Sequence, residues 1–317
     1  MIINNKLLLL KENVPFFTLL GLICIVGFFE PKFFSYKTLF VIIADTTTLF
    51  LMAAGATFVI LMGGIDLSVQ SVASLTSVIV AVMIPEYGYY AILIALITSS
   101  LIGFTSGISH HFLKIPSFIS TLAISGVVAS AAFWFSDEKQ IYISLENKER
   151  FLNWASGELF GVQKEIVIGV VALGILLVLQ NLTVFGRIVK GIGSAEKVII
   201  SSGISVHKFK IIAFTLSGFM AGLSGIIFAT RMSSGSPTLA NEFLLPSIAA
   251  IIVGGTALTG GYGSVWRTFL GALIISVVRI GMTFMGVSIF AQQIFYGLIL
   301  VLAVAITIDR TKVSIVK

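Results

Sequence analysis

The stretch Phe58-Val-Ile-Leu-Met-Gly-Gly-Ile-Asp-Leu-Ser68 decides the fold of this chain. An apolar run reaches Gly63-Gly64, the polar residues Asp66 and Ser68 follow, and the sequence then becomes apolar again. A carboxylate beside a helix-breaking Gly pair is unfavourable in lipid, so such a break occurs only where it is buried in protein or lines a water-filled path. The stretch therefore predicts two membrane spans separated by a functional interruption.

A related stretch lies far along the chain. Ile251-Ile-Val-Gly-Gly-Thr-Ala-Leu-Thr259 repeats the order of apolar residues, Gly pair and hydroxyl-bearing end that is seen from Ile60 to Ser68. Gly-interrupted segments in two parts of a membrane protein point to its transport pathway. The sequence leaves open whether the two stretches form a parallel or an inverted repeat. We predict that the pathway or its gate is formed by Gly63, Gly64, Asp66, Ser68, Gly254, Gly255, Thr256 and Thr259.

Composition sets the class of protein. Hydrophobic residues make up 57% of the chain and charged residues 11%, whereas soluble domains contain roughly 25% charged residues. The mean hydropathy is +1.07. These values exclude a water-soluble fold and predict an all-α polytopic membrane protein. We attribute the net charge of +6 to the Lys and Arg bias of cytoplasmic loops and not to nucleic-acid binding.

The chemistry-bearing residues do not form a catalytic or metal-binding pattern. The one cysteine, Cys24, excludes an internal disulfide framework and a thiolate metal cluster. No G-x-x-x-x-G-K-[S/T] motif occurs, so the sequence has no Walker A site for ATP. We expect no catalytic residue, no metal site and no cofactor in this chain.

The apolar segments predict about ten transmembrane helices in a single domain, residues 1–317. Each crossing needs roughly 17–25 apolar residues. The segments are 14–30, 38–62, 69–84, 91–113, 118–135, 163–181, 211–230, 244–258, 268–285 and 288–308. We expect the first to be an uncleaved span, because no small-x-small cleavage site follows it. Twelve of the 20 Lys and Arg residues fall in segments that are then cytoplasmic and seven in external ones, which favours cytoplasmic termini.

Two connecting segments differ in their charge. Residues 136–162 carry five acidic residues among mixed charges, which predicts an external loop. Residues 182–210 carry five Lys and Arg residues and only one acidic residue, Glu196, which predicts a cytoplasmic loop. Within it, residues 195–202 predict a short amphipathic helix that Gly203 terminates. Such a structured cytoplasmic loop is a place where another protein can act on the membrane domain.

Polar residues inside or beside the spans have more than one interpretation. Asp66 and Ser68 lie where the third span begins, so they either cap that helix or contact a solute or gate. The run Asp45-Thr46-Thr47-Thr48 predicts a cavity-facing patch or a helix cap, and we favour the cap. Arg279, inside the ninth span, either pairs with an acidic group, contacts a ligand or extends to an interface, and we favour a buried ion pair. Small residues from Ser217 to Gly225 predict a close helix–helix contact.

A family resemblance rests on several motifs in order. Gly63-Gly-Ile-Asp-Leu-Ser-Val-Gln-Ser71 resembles the GGIDLSVGS signature of sugar-type ABC importer permeases, the ribose/xylose/autoinducer-2 family. The further matching motifs are Gly186-Arg187, Ile192-Gly193, Ser202-Gly203-Ile204, Leu216-Ser-Gly218, Ile252-Val-Gly-Gly-Thr256, Gly260-Gly-Tyr-Gly-Ser264 and Gln292-Gln-Ile294. Gln70 replaces the usual Gly and adds a polar side chain beside the break, so it joins the predicted pathway residues. Ser194 replaces the usual Asn.

The resemblance implies ATP-driven import of a monosaccharide or related small polyhydroxylated solute across the bacterial cytoplasmic (inner) membrane. The partners that it implies are an ATP-binding cassette ATPase, which binds the ATP, a periplasmic or lipid-anchored solute-binding protein, a second permease copy or paralogue, and the lipid bilayer. It also implies that a coupling helix in residues 187–204 docks into the ATPase. The predicted coupling residues are Arg187, Gly193, Glu196, Lys197, Ser202, Gly203 and Ile204.

Two other transporter classes remain as alternatives. A branched-chain amino acid permease of an ABC importer has the same general architecture. An ion-coupled secondary transporter commonly uses intramembrane charged residues, and the candidates here are Asp45, Asp66 and Arg279. These three residues are scattered along the chain. The sequence of the Gly63–Ser71 motif favours a sugar permease.

Overall fold

The computed structural model describes residues 14–307 of the 317-residue chain, and this part contains twelve α-helices. The helices are α1 Val14–Phe29, α2 Tyr36–Leu61, α3 Val69–Tyr87, α4 Tyr89–Phe112, α5 Ser117–Phe135, α6 Leu145–Phe151, α7 Lys164–Leu182, α8 Val184–Ser201, α9 Val206–Met232, α10 Leu244–Val253, α11 Val265–Phe284 and α12 Ile289–Thr307. Two short 3₁₀ helices, Pro31–Phe34 and Asn241–Phe243, precede α2 and α10.

Helix length and composition confirm a polytopic α-helical membrane protein. Within the described residues, α2, α3, α4, α5, α7, α9 and α11 are each long and apolar enough to cross a bilayer. The helices α1 and α10 are apolar but shorter, and α12 is a further apolar helix. Each of the ten predicted segments coincides with one of these helices, so the positions of the helices were predicted correctly. Both chain termini, whose location was predicted as cytoplasmic, lie outside the described residues.

The predicted eighth span, 244–258, is longer than the helix that forms. Helix α10 ends at Val253, and residues 254–264 form a non-helical segment, here called the Gly-rich loop. Its Gly255, Gly260 and Gly261 have φ of +94°, +83° and +78°. A non-glycine residue is strained in this left-handed region, so these positions end the helix and prevent it from restarting.

The preferred interpretation of residues 45–48 as a helix cap is wrong. These residues lie inside α2 and are buried, and the actual N-cap is Ser35, whose hydroxyl accepts a hydrogen bond from the Thr38 N–H. The three threonine hydroxyls donate to the carbonyl oxygens of Ile42, Ile43 and Ala44, at 2.7, 3.0 and 3.2 Å. The backbone of the helix itself satisfies these hydroxyls, so they do not mark a helix start.

Asp45 forms the buried ion pair that was predicted for Arg279. The Arg279 Nε donates to Asp45 Oδ2 at 3.1 Å, and its Nη2 contacts Asp45 Oδ1. The Asp45 side chain is 1% exposed and that of Arg279 is 24% exposed. The pair joins α2 to α11 inside the apolar part of the bundle, where an unpaired charge would be unfavourable.

Helix α9 packs so tightly against α4 that glycine is required at the contact. A Cβ placed on Gly103 of α4 would lie 2.2 Å from the Phe214 carbonyl oxygen. One on Gly218 of α9 would lie 2.3 Å from the Ser99 carbonyl oxygen. The prediction of a close small-residue contact is confirmed, because these glycines let the two backbones touch.

The two long connecting segments are more ordered than simple loops. Residues 136–162 contain α6 and the strand β1 Ile141–Tyr142, which pairs antiparallel with β4 Ser234–Gly235 after α9. The strands β2 Glu158–Leu159 and β3 Val162–Gln163 form a small hairpin. Residues 182–210 are mostly helical. The predicted helix at 195–202 is the second part of α8, which bends at Ala195 (φ −160°, ψ 74°) and stops before Gly203 at φ +78°.

Candidate translocation and coupling site

The non-helical segment between α2 and α3, residues 62–68, is here called the Gly break. Gly63 has φ +80°, which lets the chain leave α2 after Leu61. The N–H of Ile65 donates to the Ser117 hydroxyl at 2.9 Å, and that of Leu67 donates to the Thr121 hydroxyl at 3.0 Å. Two hydroxyl side chains of α5 thus satisfy backbone groups that no helix or lipid can satisfy.

Asp66 lies at the centre of the Gly break and is 2% exposed. Its Oδ1 accepts hydrogen bonds from the Ser68 N–H at 2.9 Å and the Ser68 hydroxyl at 2.6 Å. Its Oδ2 accepts one from the Ser217 hydroxyl of α9 at 2.7 Å. Ser68 is the N-cap residue of α3 but makes no side-chain cap bond. The Asp66 carboxylate therefore fixes the residue that begins α3 and ties it to α9.

Removal of the Asp66 carboxylate is expected to destabilise the protein. Asp66→Ala leaves the Ser68 and Ser217 donors unpaired, and each buried donor without a partner costs about 1–3 kcal/mol. Asp66→Asn keeps one carbonyl oxygen for Ser68, so the loss should be smaller. Thermal unfolding in nanodiscs measures both variants beside wild type, with Ser217→Ala as the single-bond reference. Equal unfolding temperatures for wild type and Asp66→Ala would contradict an anchoring role.

The Gly break and the Gly-rich loop touch each other through their backbones. The Gly261 N–H donates to the Leu61 carbonyl oxygen at 2.8 Å. A Cβ on Gly63 would lie 3.2 Å from the Thr259 carbonyl oxygen, and one on Gly260 would lie 2.6 Å from the Gly63 nitrogen. The structure thus brings together the two stretches that the sequence singled out as similar.

The predicted coupling segment, residues 187–204, reaches the same place. A Cβ on Gly193 of α8 would lie 2.0 Å from the Leu61 carbonyl oxygen and 2.3 Å from the Gly261 nitrogen. A Cβ on Gly261 would lie 2.4 Å from the Ser194 hydroxyl oxygen. The end of α2, the Gly-rich loop and α8 therefore meet at a junction where glycine is the residue that fits.

The other predicted pathway residues surround this junction at different depths. Thr259 is exposed and Gln70 is half-buried in the first turn of α3. Thr256 is buried, and its hydroxyl has no hydrogen-bond partner. A Cβ on Gly254 would lie 2.1 Å from the Arg267 carbonyl oxygen, so this glycine packs against the start of α11. Within residues 14–307, no group of three His, Cys, Asp or Glu side chains is placed to hold a metal ion.

The far end of the coupling segment is open to solvent. Lys197, Ser202 and Gly203 are exposed there, as is Arg187 at the start of the segment. Two apolar neighbours of Lys197, Val198 and Ile200, are 61% and 55% exposed. Glu196 instead pairs with Lys210 of α9 at 2.8 Å. Lys197 and the two apolar side chains therefore form an exposed surface on the second part of α8, while Glu196 holds that part to α9.

The hydroxyl residues that hold the Gly break were not identified as site residues from the sequence. Ser117, Thr121 and Ser217 lie 52, 54 and 151 positions from their partners in the break. The available signal is the placement of Ser117 and Thr121 one helical turn apart at the start of α5. Residues four apart on a helix share one face, which suits them to hold the same extended segment.

Comparisons with known proteins agree with this arrangement. A family profile described as "Branched-chain amino acid transport system / permease component" matches residues 38–304. The ribose import permease of Haemophilus influenzae is 34% identical over 298 residues, covering 93% of this chain and 92% of the relative. That of Bacillus subtilis is 34% identical over 300 residues, covering 94% and 92%.

A fructose import permease provides a third comparison. The protein from Rhizobium meliloti is 31% identical over 302 residues, covering 92% of this chain and 84% of the relative. No solved structure matches the chain. The matches extend along nearly the whole chain and include the Gly break, the coupling segment and the Gly-rich loop. The chain therefore belongs to the sugar-type permeases of ABC importers.

Proposed function

We propose that this chain is the membrane-spanning permease subunit of an ATP-driven importer of a monosaccharide or related small polyhydroxylated solute. The single observation that carries the proposal is the junction of Gly193 with Leu61 and Gly261. It connects an exposed cytoplasmic surface to the two Gly-interrupted segments without intervening side chains. The names of the relatives, which are ribose and fructose import permeases, favour a sugar over a branched-chain amino acid.

The proposal includes an orientation in the membrane. Residues 1–317 form one permease domain with ten spans in the bacterial cytoplasmic membrane, and both termini are cytoplasmic. The Gly break, α8 and the Gly-rich loop then lie at the cytoplasmic end. The segments 136–163 and 233–243, joined by the β1–β4 pair, lie at the outer end. The excess of Lys and Arg in residues 182–210 supports this orientation.

The proposed partners divide the work of import. A cytoplasmic ATPase binds and hydrolyses ATP, and it docks on the exposed surface of α8. A periplasmic or lipid-anchored binding protein delivers the solute at the outer end, and a second permease copy or a paralogue completes the pathway. This chain itself holds no cofactor and catalyses no reaction. Its own contribution is the pathway, where backbone and hydroxyl groups suit a neutral solute that must bind weakly and leave.

The charged residues argue against ion-coupled transport. Asp45 and Arg279 neutralise each other. The Asp66 carboxylate is held by Ser68 and Ser217. A proton or ion relay needs titratable groups that follow one another in space across the membrane. Asp45, Asp66 and Arg279 do not form such a chain of contacts.

The role of the exposed surface of α8 is best tested at Val198. Val198→Glu places a charge in the docking surface, and an unpaired charge buried at an interface costs several kcal/mol. We expect the ATPase to bind at least about tenfold more weakly, because 1.4 kcal/mol corresponds to a factor of ten. ATPase co-purification and ATPase stimulation by the sugar-loaded binding protein are measured in nanodiscs. Glu196 is a poorer target, since its replacement also breaks the ion pair with Lys210.

Val162→Glu provides the matched control for this experiment. Val162 lies in strand β3 at the opposite end of the bundle and is 37% exposed, so the same substitution there should leave the ATPase bound. Normal co-purification and stimulation in Val198→Glu would refute docking on α8. If wild type binds no ATPase and uptake follows a proton gradient, the proposed function itself is wrong.

A further inference from the structure

A cavity of about 440 Å³ lies between α2, α11 and α12, a size within the usual range of small-molecule sites. Its polar lining includes Lys37, Glu242, Arg279, Gln292, Gln293 and Tyr296. None of these residues belongs to the Gly break, the Gly-rich loop or the coupling segment. The cavity is therefore a separate feature of the bundle.

The cavity lies at the end of the bundle away from the Gly break. It is formed where α2 and α12 begin and α11 ends. Glu242, at its rim, belongs to the 3₁₀ helix Asn241–Phe243. This helix and strand β4 both lie in the connection between α9 and α10. In the proposed orientation this end faces outward, so the cavity opens on the side where a binding protein releases solute.

Tyr296 gives the cavity an unfilled hydrogen-bonding position. The side chain is 1% exposed, and its hydroxyl has no hydrogen-bond partner. Nearby, the Gln292 Nε2 donates to the Thr283 hydroxyl at 3.2 Å and to the Val287 carbonyl at 3.1 Å. A buried hydroxyl without a partner is unfavourable, so a ligand hydroxyl that bonds to Tyr296 would bind with a gain in free energy.

The charges of the lining favour a neutral ligand. Arg279 is compensated by Asp45 and lies 4.5 Å above the ring of Phe243. Lys37 and Glu242 are exposed and opposite in sign. What remains for a ligand is amide and hydroxyl groups set in largely apolar walls. Neutral polyhydroxylated molecules match this combination, because their hydroxyl groups bond to both donors and acceptors while their C–H faces pack on apolar surface.

We propose that this outer cavity binds a neutral monosaccharide before it moves toward the Gly break. The inference rests on the proposed function, and it assigns to the permease a solute site of its own at the outer end. Tyr296 supplies a hydrogen bond to a sugar hydroxyl, and Gln293 at the rim supplies a second polar group. The site needs only modest affinity, since solute that binds tightly would not be released inward.

Protection of an engineered thiol tests whether sugar enters the cavity. Ile289 lines the cavity and is 50% exposed, and the native thiol of Cys24 is removed by Cys24→Ser. Ile289→Cys in this background reacts with a charged, membrane-impermeant methanethiosulfonate in the permease–ATPase complex in nanodiscs, without binding protein. We expect D-ribose at twice its dissociation constant to slow this reaction about threefold, following simple mass action. Tyr142→Cys, on the exposed β1 strand, should show no protection.

Tyr296→Phe tests the assigned hydrogen bond in the same assay. Loss of one neutral hydrogen bond should raise the D-ribose concentration for half-protection by about twofold to tenfold. Fold stability should not fall, because the hydroxyl that is removed has no partner in the protein. Tyr142→Phe, whose ring is 76% exposed, should leave that concentration unchanged.

The other possible results of the protection assay each contradict a different part of the inference. Absence of protection, with normal ATPase stimulation by loaded binding protein, refutes the cavity as a sugar site and leaves the proposed function intact. If both the protection and the ATPase stimulation are absent, the sugar site in the cavity and the proposed function are both refuted. Protection by glycerol 3-phosphate but not by D-ribose would assign the cavity to an anionic headgroup. Equal half-protection in wild type and Tyr296→Phe would refute the role of the tyrosine.

Discussion

Gly193→Ala is expected to abolish solute uptake. The added Cβ would lie 2.0 Å from the Leu61 carbonyl oxygen and 2.3 Å from the Gly261 nitrogen. Both are backbone atoms, so no side chain can rotate to make room, and α8 must separate from the junction. Overpacking of this kind usually costs about 1–3 kcal/mol and more where the backbone has to move. Uptake into proteoliposomes with the ATPase and binding protein measures the loss.

Gly174→Ala is the matched control, because it makes the same chemical change in a helix where space is free. A Cβ at Gly174 of α7 would meet no atom within 4 Å. Alanine also favours helix more than glycine does. This variant should transport at the wild-type rate and be slightly more stable. Comparable uptake by the two variants would show that the close approach at Gly193 is not needed for coupling.

Arg279→Met is expected to cause a large loss of stability. It leaves the Asp45 carboxylate, 1% exposed, without its partner. Breaking a buried ion pair from one side costs about 3–5 kcal/mol in soluble proteins. The double change Asp45→Leu with Arg279→Met should recover most of this loss, because no charge is then buried. Thermal unfolding of the four proteins in nanodiscs gives the coupling between the two positions.

An exposed ion pair provides the contrast. Lys139 and Asp137 are 73% and 89% exposed and 2.8 Å apart, and pairs of this kind contribute little. Lys139→Met should therefore leave the unfolding temperature unchanged. If Arg279→Met were equally harmless, Asp45 would have another source of stabilisation, and the pair would not be what holds α2 to α11.

The helices were predictable because membrane spans are marked by length and hydrophobicity. A segment such as Val69–Tyr87 needs no knowledge of its neighbours to be recognised as a span. The Gly63-Gly64 break was also predictable, since a carboxylate beside it has to be protected from lipid. The length of α10 was not predicted correctly. The apolar residues continue past Val253, but the helix ends there, and Gly255 two residues later has a φ of +94°.

The contacts of the polar residues were harder to predict than their positions. Asp45 was interpreted as part of a cap where an interfacial segment becomes a helix, since Asp and Thr are both favoured at the N-cap. Its partner, Arg279, is 234 residues away, and the sequence alone did not pair the two. The same holds for Gly193 and Gly261. Their contact depends on how α8 is placed by the packing of the whole bundle, and no local pattern encodes it.

Helix α9 has a mechanical consequence for transport. Its 27 residues correspond to about 40 Å at 1.5 Å per residue, so it is long enough to cross a membrane. Glu196 and Lys210 join its first turns to α8, and strand β4, which follows its last residue, pairs with β1. At Gly103 and Gly218 its backbone contacts that of α4 directly, so this contact cannot be relieved by side-chain rotation. If an ATPase docks on α8 as proposed, we expect a tilt of α8 to be transmitted through α9 to the β1–β4 pair at the opposite end of the bundle.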